Sequence, residues 1–271
     1  MRKAKFNAHG GFGPDIDSPA DSILIDAWDA ERPSEQVKLA RTALNIDADA
    51  IDAYNLLGIH ANTHAERVAL FREAVRIGER LFQSVLDDPD MAWWGYLGTR
   101  PWMRAQHNLG LGLIQLGDWQ DAIAVFQRLL DLNPNDNQGV RTLLLKLRCQ
   151  CGDFAGCRSI LETYAEDGSV TMTGTALLVD LATKKKADFA AHFEAIREGN
   201  AYALPMLALA ARDGKWPPMP KLPDGYVEYG SKAEAALYLN QFREGWEKKP
   251  KVLPAFLEAY DADLKHAGKK I

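Results

Sequence analysis

Long apolar runs are missing from this 271-residue chain: no stretch approaches the roughly 18 uninterrupted apolar residues of a membrane span. The opening MRKAKFNAHGGFGPDIDSPA has no apolar core of the kind a secretory signal carries. Together these absences speak against a membrane protein and predict a soluble, cytoplasmic one. Cysteine is scarce as well. Cys149, Cys151 and Cys157 are the only three, an odd number crowded into nine residues, which fits reduced thiols rather than a disulfide framework. A basic excess is also lacking: Lys and Arg number 32 against 37 Asp and Glu, for a net charge of -5. Neutralising phosphates needs a basic face, so nucleic acid is not an expected partner. No segment shows the alternation or β-branched enrichment of strands, which points to an all-α fold.

The vocabulary of catalysis is absent too. No G-x-S-x-G, kinase-type or other nucleophile-plus-base phrase occurs, and Gly10-Gly11-Phe12-Gly13 lacks the strand and spacing of a phosphate cradle. His60 and His64 stand four apart, as in zinc-binding helices, but the glutamate between them is missing and the helix is due to end there. Cys149 and Cys151, two apart, point to different faces of a helix. Neither a metal, a cofactor nor an enzymatic activity is therefore expected. The lysine runs 184–186 and 248–251 fit solvated turns.

What is present is a repeat. Gly117-Asp118-Trp119, Gly152-Asp153-Phe154 and Ala187-Asp188-Phe189 follow one another at intervals of 35 residues. Residues 103–136 fit the tetratricopeptide template, with Leu109, Gly110, Leu113, Ala122, Phe126 and Pro134 in register and Gln106 in place of the first aromatic. Small Gly110 and Ala122 are expected to let two antiparallel helices approach, with Leu109, Leu113 and Phe126 filling the seam. A unit at about 51–82 carries Tyr54, Leu57, Gly58, Phe71 and Ala74, its inter-helix turn shortened by three residues. Segment 34–47 reads as the second helix of an earlier unit. Units at about 138–166 and 169–199 are progressively weaker, with Cys157 and Leu161 replacing the usual alanine and aromatic.

The four prolines of WPPMPKLPDGYVEYG end the pattern. The expected organisation is a flexible tail at 1–17, a tetratricopeptide-like right-handed superhelix of helix pairs at 18–213, an extended connection at 214–229 and a C-terminal helical cap at 230–271. Helices are expected at 231–246 and 250–267, packed on the last repeat.

In such a superhelix the first helix of each unit lines a concave groove. Projecting the groove positions gives Asp52, Asn55, Ile59 and Asn62, then Arg104, His107, Asn108 and Leu111, then Thr142, Lys146 and Cys149, with Arg141 beside them. The strip mixes amides with Arg104, His107 and Lys146, which suits an extended peptide backbone and a carboxylate. A second candidate is the loop Trp93, Trp94, Arg100 and Trp102, where exposed indoles would be costly unless packed or used in binding. Packing over the groove end is the reading favoured, and a pocket for a small anion the alternative. The functional expectation is a non-catalytic adaptor for a protein or peptide, with a self-associating homodimer as the alternative.

The phrases Ala74-Val-Arg-Ile-Gly78-Glu79-Arg80, Thr99-Arg-Pro-Trp-Met-Arg-Ala105, Asn133-Pro-Asn-Asp-Asn-Gln-Gly-Val-Arg141 and Gly230-Ser231-Lys-Ala-Glu234-Ala235 resemble bacterial tetratricopeptide proteins of unassigned function. More distantly, the order of features is similar to the eukaryotic suppressor of tumorigenicity 7 family, with Trp246 as the tryptophan of the late helix. That family is membrane-associated, whereas this chain has no span, and His60 and His64 stand where acidic and small residues are expected. The resemblance implies a repeat fold and no reaction. The carboxylate clamp of chaperone-binding tetratricopeptide domains is only partly echoed, because Asn55 stands where the clamp has lysine.

Overall fold

A computed structural model describes residues 19–184, 188–222 and 225–268. The expected tail at 1–17, and Ala187 of the third repeat phrase, lie outside these residues. Among the described residues there are thirteen α-helices and no strand, and the chain divides into two compact units, one running to Arg141 and one starting at Thr142.

The first unit is a succession of helix pairs. Helix α1 (Pro19–Asp29) packs on α2 (Pro33–Ile46), α3 (Ile51–Ile59) on α4 (His64–Phe82), and α5 (Arg100–Leu116) on α6 (Trp119–Leu132), with α4 also against α5. Helix α1 lies ahead of the periodic array, which starts at residue 34. It is held by a small-residue core of Ala20, Leu24 and Ala27 against Ala40, Ala43 and Ala53.

The seam of each later pair is a glycine under a phenyl ring. A Cβ on Gly110 would stand 2.4 Å from the Phe126 ring, and one on Gly58 would stand 2.4 Å from Phe71. The rings thus lie directly on the opposing backbone. Gly58 and Phe71 are three residues closer in sequence than Gly110 and Phe126, so the shorter turn leaves the seam intact.

The recurring Gly-Asp-aromatic phrase marks helix-to-helix turns. Gly117 (φ 83°) and Gly152 (φ 77°) end α5 and α7 (Val140–Cys151) in the left-handed region. The following aspartate is the N-cap of the next helix: the Asp153 carboxylate accepts from Gly156 N at 2.9 Å ahead of α8 (Phe154–Thr163), whereas Asp118 makes no such side-chain bond ahead of α6. The Asp188 carboxylate accepts from Ala191 N at 3.2 Å ahead of α10 (Phe189–Gly199).

The second unit is built differently. Helix α9 (Val170–Thr183) is buried on nearly every side, with α8, α10, α12 (Lys232–Glu247) and α13 (Val252–Ala267) all packed on it. The Tyr238 ring lies over Gly174, and Gly245 sits against Cys149 and Leu178. Phe256 and Tyr260 of α13 pack edge-on to Phe193 at 6.2 and 5.6 Å. Asn200 Nδ2 donates to Ser231 O and to Glu234 Oε2, both at 2.9 Å, tying the end of α10 to the start of α12. Helix α11 (Ala203–Asp213) joins α12 and α13. The two C-terminal helices are therefore part of this unit's core.

Candidate binding surface and cavity

In the first unit the projected groove residues divide into those the fold consumes and those it leaves accessible. Asn55 is fully buried, its Nδ2 donating to Pro101 O and Asp52 Oδ1, both at 2.9 Å. It is a structural amide beneath the surface, which corrects its assignment to the groove. Asn62 is also misplaced by the template, because α3 ends at Ile59 and Asn62 falls in the following turn, where its backbone N–H donates to Glu66 Oε2 at 3.3 Å. His60 ends α3 beside Gln36, and His64 opens α4 after Thr63 caps it, so the two histidines straddle a turn.

Helix α5 carries the half-exposed remainder: Arg104, His107 and Asn108. Arg104 forms an ion pair with Asp52 and lies 4.9 Å over the Trp28 ring. Arg141 pairs at 3.0 Å with Asp136, whose buried carboxylate also accepts the backbone N–H groups of Val140 and Arg141. Burial pushes the His107 imidazole below its ordinary range, with Asp136 opposing the shift. The ring, 6.0 Å from Phe126, is therefore neutral at pH 7. The expected attraction for a carboxylate is accordingly weaker here than residue types suggest: two of the cations are matched by aspartates and the third group is uncharged. Thr142 and Lys146, both half-exposed on α7, belong to the second unit.

The tryptophan loop is mostly core. Trp93 and Trp102 are 3% and 0% exposed and form a three-ring cluster with Phe82, at centroid distances of 5.0 to 5.7 Å. Trp102 Nε1 donates to Val75 O at 3.1 Å, and its ring sits directly on Gly78. Burial of both indoles removes them as pocket walls, a correction to that candidate. Arg100 stacks 4.8 Å over half-buried Trp94 and donates from Nε to Trp94 O at 3.2 Å. Thr99 pins the loop by donating to Trp93 O and Tyr96 O.

The same loop nonetheless borders a cavity of about 290 Å³ through Leu97, Gly98 and Pro101. Helix α1 supplies Leu24, Ile25 and Trp28, and Phe82 also lines it. Four carboxylates stand around it: Asp21, Asp47, Asp49 and Asp52. Asp49 pairs with Arg80, and Asp52 with Arg104. None of the described lining residues is basic. Ile25, Trp28 and Leu97 remain 57%, 36% and 42% exposed. The groove projection did not reach this site because it draws on α1, a helix from which no groove position was projected. The acidic run Asp47-Ala-Asp49-Ala-Ile51-Asp52 is the signal that could have found it.

In the second unit the thiols of Cys149 and Cys157 face each other at 3.4 Å, both buried. Their hydrogen bond, together with burial, holds the Cys149 thiol well above its usual range. These are packing groups. Among the described residues no cluster of three or more potential metal ligands forms, and no helix is long and apolar enough to cross a membrane.

The tetratricopeptide repeat family model matches residues 103–136, the α5–α6 pair. Over 152 residues the chain is 24% identical to the suppressor of tumorigenicity 7 protein-like of Rattus norvegicus and of Mus musculus. It is 23% identical to that of Bos taurus. The match covers 54% of this chain and 27% of each relative, so the chain spans about a quarter of the length of the curated relatives it matches. With its paired helices and its glycine-on-phenylalanine seams, the chain is an all-α protein of helix pairs like those of tetratricopeptide repeats, matched by that family's model at residues 103–136 and distantly similar to the suppressor of tumorigenicity 7-like proteins.

Proposed function

We propose that the protein is a non-catalytic adaptor that binds a protein or peptide segment through the first-helix surfaces of its repeats. The observation that carries this reading is the repeat at 103–136, whose seam residues Leu109, Leu113 and Phe126 are buried while Arg104, His107 and Asn108 stay half-exposed on α5. Helical repeats commonly present such a strip to a ligand while neighbouring helices bury the opposite face. With its two arginines matched and His107 neutral, the strip in the first unit offers hydrogen bonds more than net charge. That favours an extended backbone with neutral side chains there.

The test is affinity capture from the source cells with the wild-type chain and with Asn108→Arg and Lys146→Glu. Arg104 is a poor choice for charge reversal, because a carboxylate there would face Asp52. Loss of a captured protein from either variant at unchanged melting temperature is the expected result. A capture profile identical across the three proteins overturns the reading.

A further inference from the structure

We propose that the lysine-bearing end of the second unit, where the turns between α9 and α10 and between α12 and α13 meet, docks an acidic segment of a partner protein. This goes beyond the first-helix strip and uses neither Asn108 nor Lys146, so the two readings can fail separately.

The fold brings the two lysine runs of the sequence together. Lys249 Nζ donates at 2.8 Å to Ala182 O, 67 residues away at the C-terminal end of α9, and lies 4.9 Å over the Phe154 ring. Lys248 packs along Gly152, where a Cβ would stand 3.5 Å from Lys248 Cε. Lys184 follows α9 directly, and Lys251 closes the turn into α13. All four side chains are exposed. Among the described residues Lys184, Lys248 and Lys251 form no ion pair. Most neighbouring carboxylates have cations of their own: Asp153 pairs with Arg148, Asp180 with Arg158 and Glu247 with Arg243. Asp188 and Glu244 do not, but they are outnumbered by the lysines. Glu162 and Glu258 lie about two helical turns off along α8 and α13, roughly 10–12 Å. A positive excess remains, which attracts carboxylates.

Two of these lysines stand where the local backbone disfavours them. Lys184 ends α9 at φ 53°, in the left-handed region that Gly117 and Gly152 occupy after α5 and α7. Lys251 is the N-cap residue of α13, where the helix dipole repels a cation, and its side chain makes no capping bond. Such departures from local preference are expected where a side chain serves something other than folding.

An acidic peptide fits this surface better than other polyanions do. A bilayer calls for apolar side chains that insert beside the basic ones, and among the described residues no large apolar side chain is exposed over 151–184 or 247–256. Single-stranded nucleic acid calls for rings on which bases stack, but Phe154 is only 4% exposed beneath Lys249. A shallow, open groove lined by Phe154, Arg158, Ser159 and Thr183 runs alongside. Its polar side chains suit an extended backbone.

The experiment is fluorescence anisotropy at low salt with the full chain and two labelled heptapeptides, Gly-Glu-Asp-Glu-Glu-Asp-Gly and its amide counterpart Gly-Gln-Asn-Gln-Gln-Asn-Gly. The acidic peptide should bind, and the amide peptide should bind about tenfold more weakly or worse. Lys184→Gly should weaken the acidic peptide severalfold while the melting temperature holds or rises, because glycine meets no strain at that turn. The double variant Lys248→Gln, Lys251→Gln should also weaken it severalfold at an unchanged melting temperature. Asn108→Arg, in the first unit, should leave binding as it is. Vesicles containing phosphatidylserine and a labelled oligothymidylate are the remaining arms, and both should bind more weakly than the acidic peptide. Absence of binding by the acidic peptide, equal binding of the amide peptide, or indifference to the lysine variants overturns the proposal. Weakening by Asn108→Arg, or a preference for the vesicles or the oligonucleotide, overturns it as well.

Discussion

The two units reach a buried core by different routes. In the first, consecutive helices meet through a glycine and a phenyl ring thirteen or sixteen residues apart, Gly58 with Phe71 and Gly110 with Phe126. In the second, α9 is enclosed by helices that arrive late in the chain, and contacts such as Lys249 Nζ to Ala182 O, at 2.8 Å, span 67 residues. A repeat template captures the first kind of core because its contacts are local. It fades in the second because the decisive partners of α9 lie beyond the proline-rich connection.

The two fully buried tryptophans offer the largest perturbation of this contrast. Trp102 in the first unit and Trp246 in the second are both 0% exposed, and each donates from Nε1 at 3.1 Å, to Val75 O and to Tyr238 Oη respectively. Replacing either with alanine should cost about 3–5 kcal/mol. The difference lies in what loosens. By hydrogen exchange, Trp102→Ala should release α4, α5 and the loop between them, neighbours along the chain. Trp246→Ala should release α9, α12 and α13 together. If Trp246→Ala frees only α12, the second core is as local as the first.

This contrast also explains what was legible from residues alone. The all-α class, the turns at 117–119 and 152–154 and the 51–82 unit follow from spacing, because a glycine at a left-handed turn and a small residue under a ring have few substitutes. Among the described residues of 214–229 no helix forms, in keeping with prolines that cannot continue one. Site assignments fared less well, since a template position tells which way a side chain points and not what it meets. Asn55 and Arg104 both bond to Asp52, and Trp93 and Trp102 fold onto Phe82. The cavity escaped because its carboxylates come from α1 and from the stretch before and into α3, segments with no template phrase in common.

A smaller effect tests whether the glycine seams are equivalent. Gly110→Ala forces a methyl into the Phe126 ring, with a cost of about 1–3 kcal/mol from overpacking. Gly174→Ala in the second unit meets the Tyr238 ring at 2.8 Å rather than 2.4 Å, so its cost should be at the lower end of that range. Urea denaturation of the two variants gives the comparison. Combining Gly110→Ala with Phe126→Leu should recover part of the loss, as expected for two changes at one contact. Strict additivity would show that the ring is not what the new methyl meets.

The smallest expected effect separates the units by pH. His107, in the first unit, has its imidazole pushed down by burial, so the unfolded chain takes up the proton first as the solution is acidified. Stability from this group is therefore complete above the ordinary histidine range and declines as pH falls through it, ceasing to change once the folded imidazole is also protonated. In the second unit the sensitive group is Asp180. Burial alone would raise its carboxyl, but hydrogen bonds from His192 at 3.0 Å and Arg158 at 2.7 Å outweigh this and hold it below its usual value. That contribution is present at neutral pH and is lost only further down, as the carboxylate itself protonates. Melting temperatures of wild type, His107→Asn and Asp180→Asn between pH 8 and about pH 3 resolve the two windows. His107→Asn should flatten the upper part of the profile and Asp180→Asn the lower part. A His107→Asn profile parallel to wild type through the histidine window would mean that the imidazole is as hydrated in the folded chain as in the unfolded one, and the α5 strip would then carry a protonatable charge in that window.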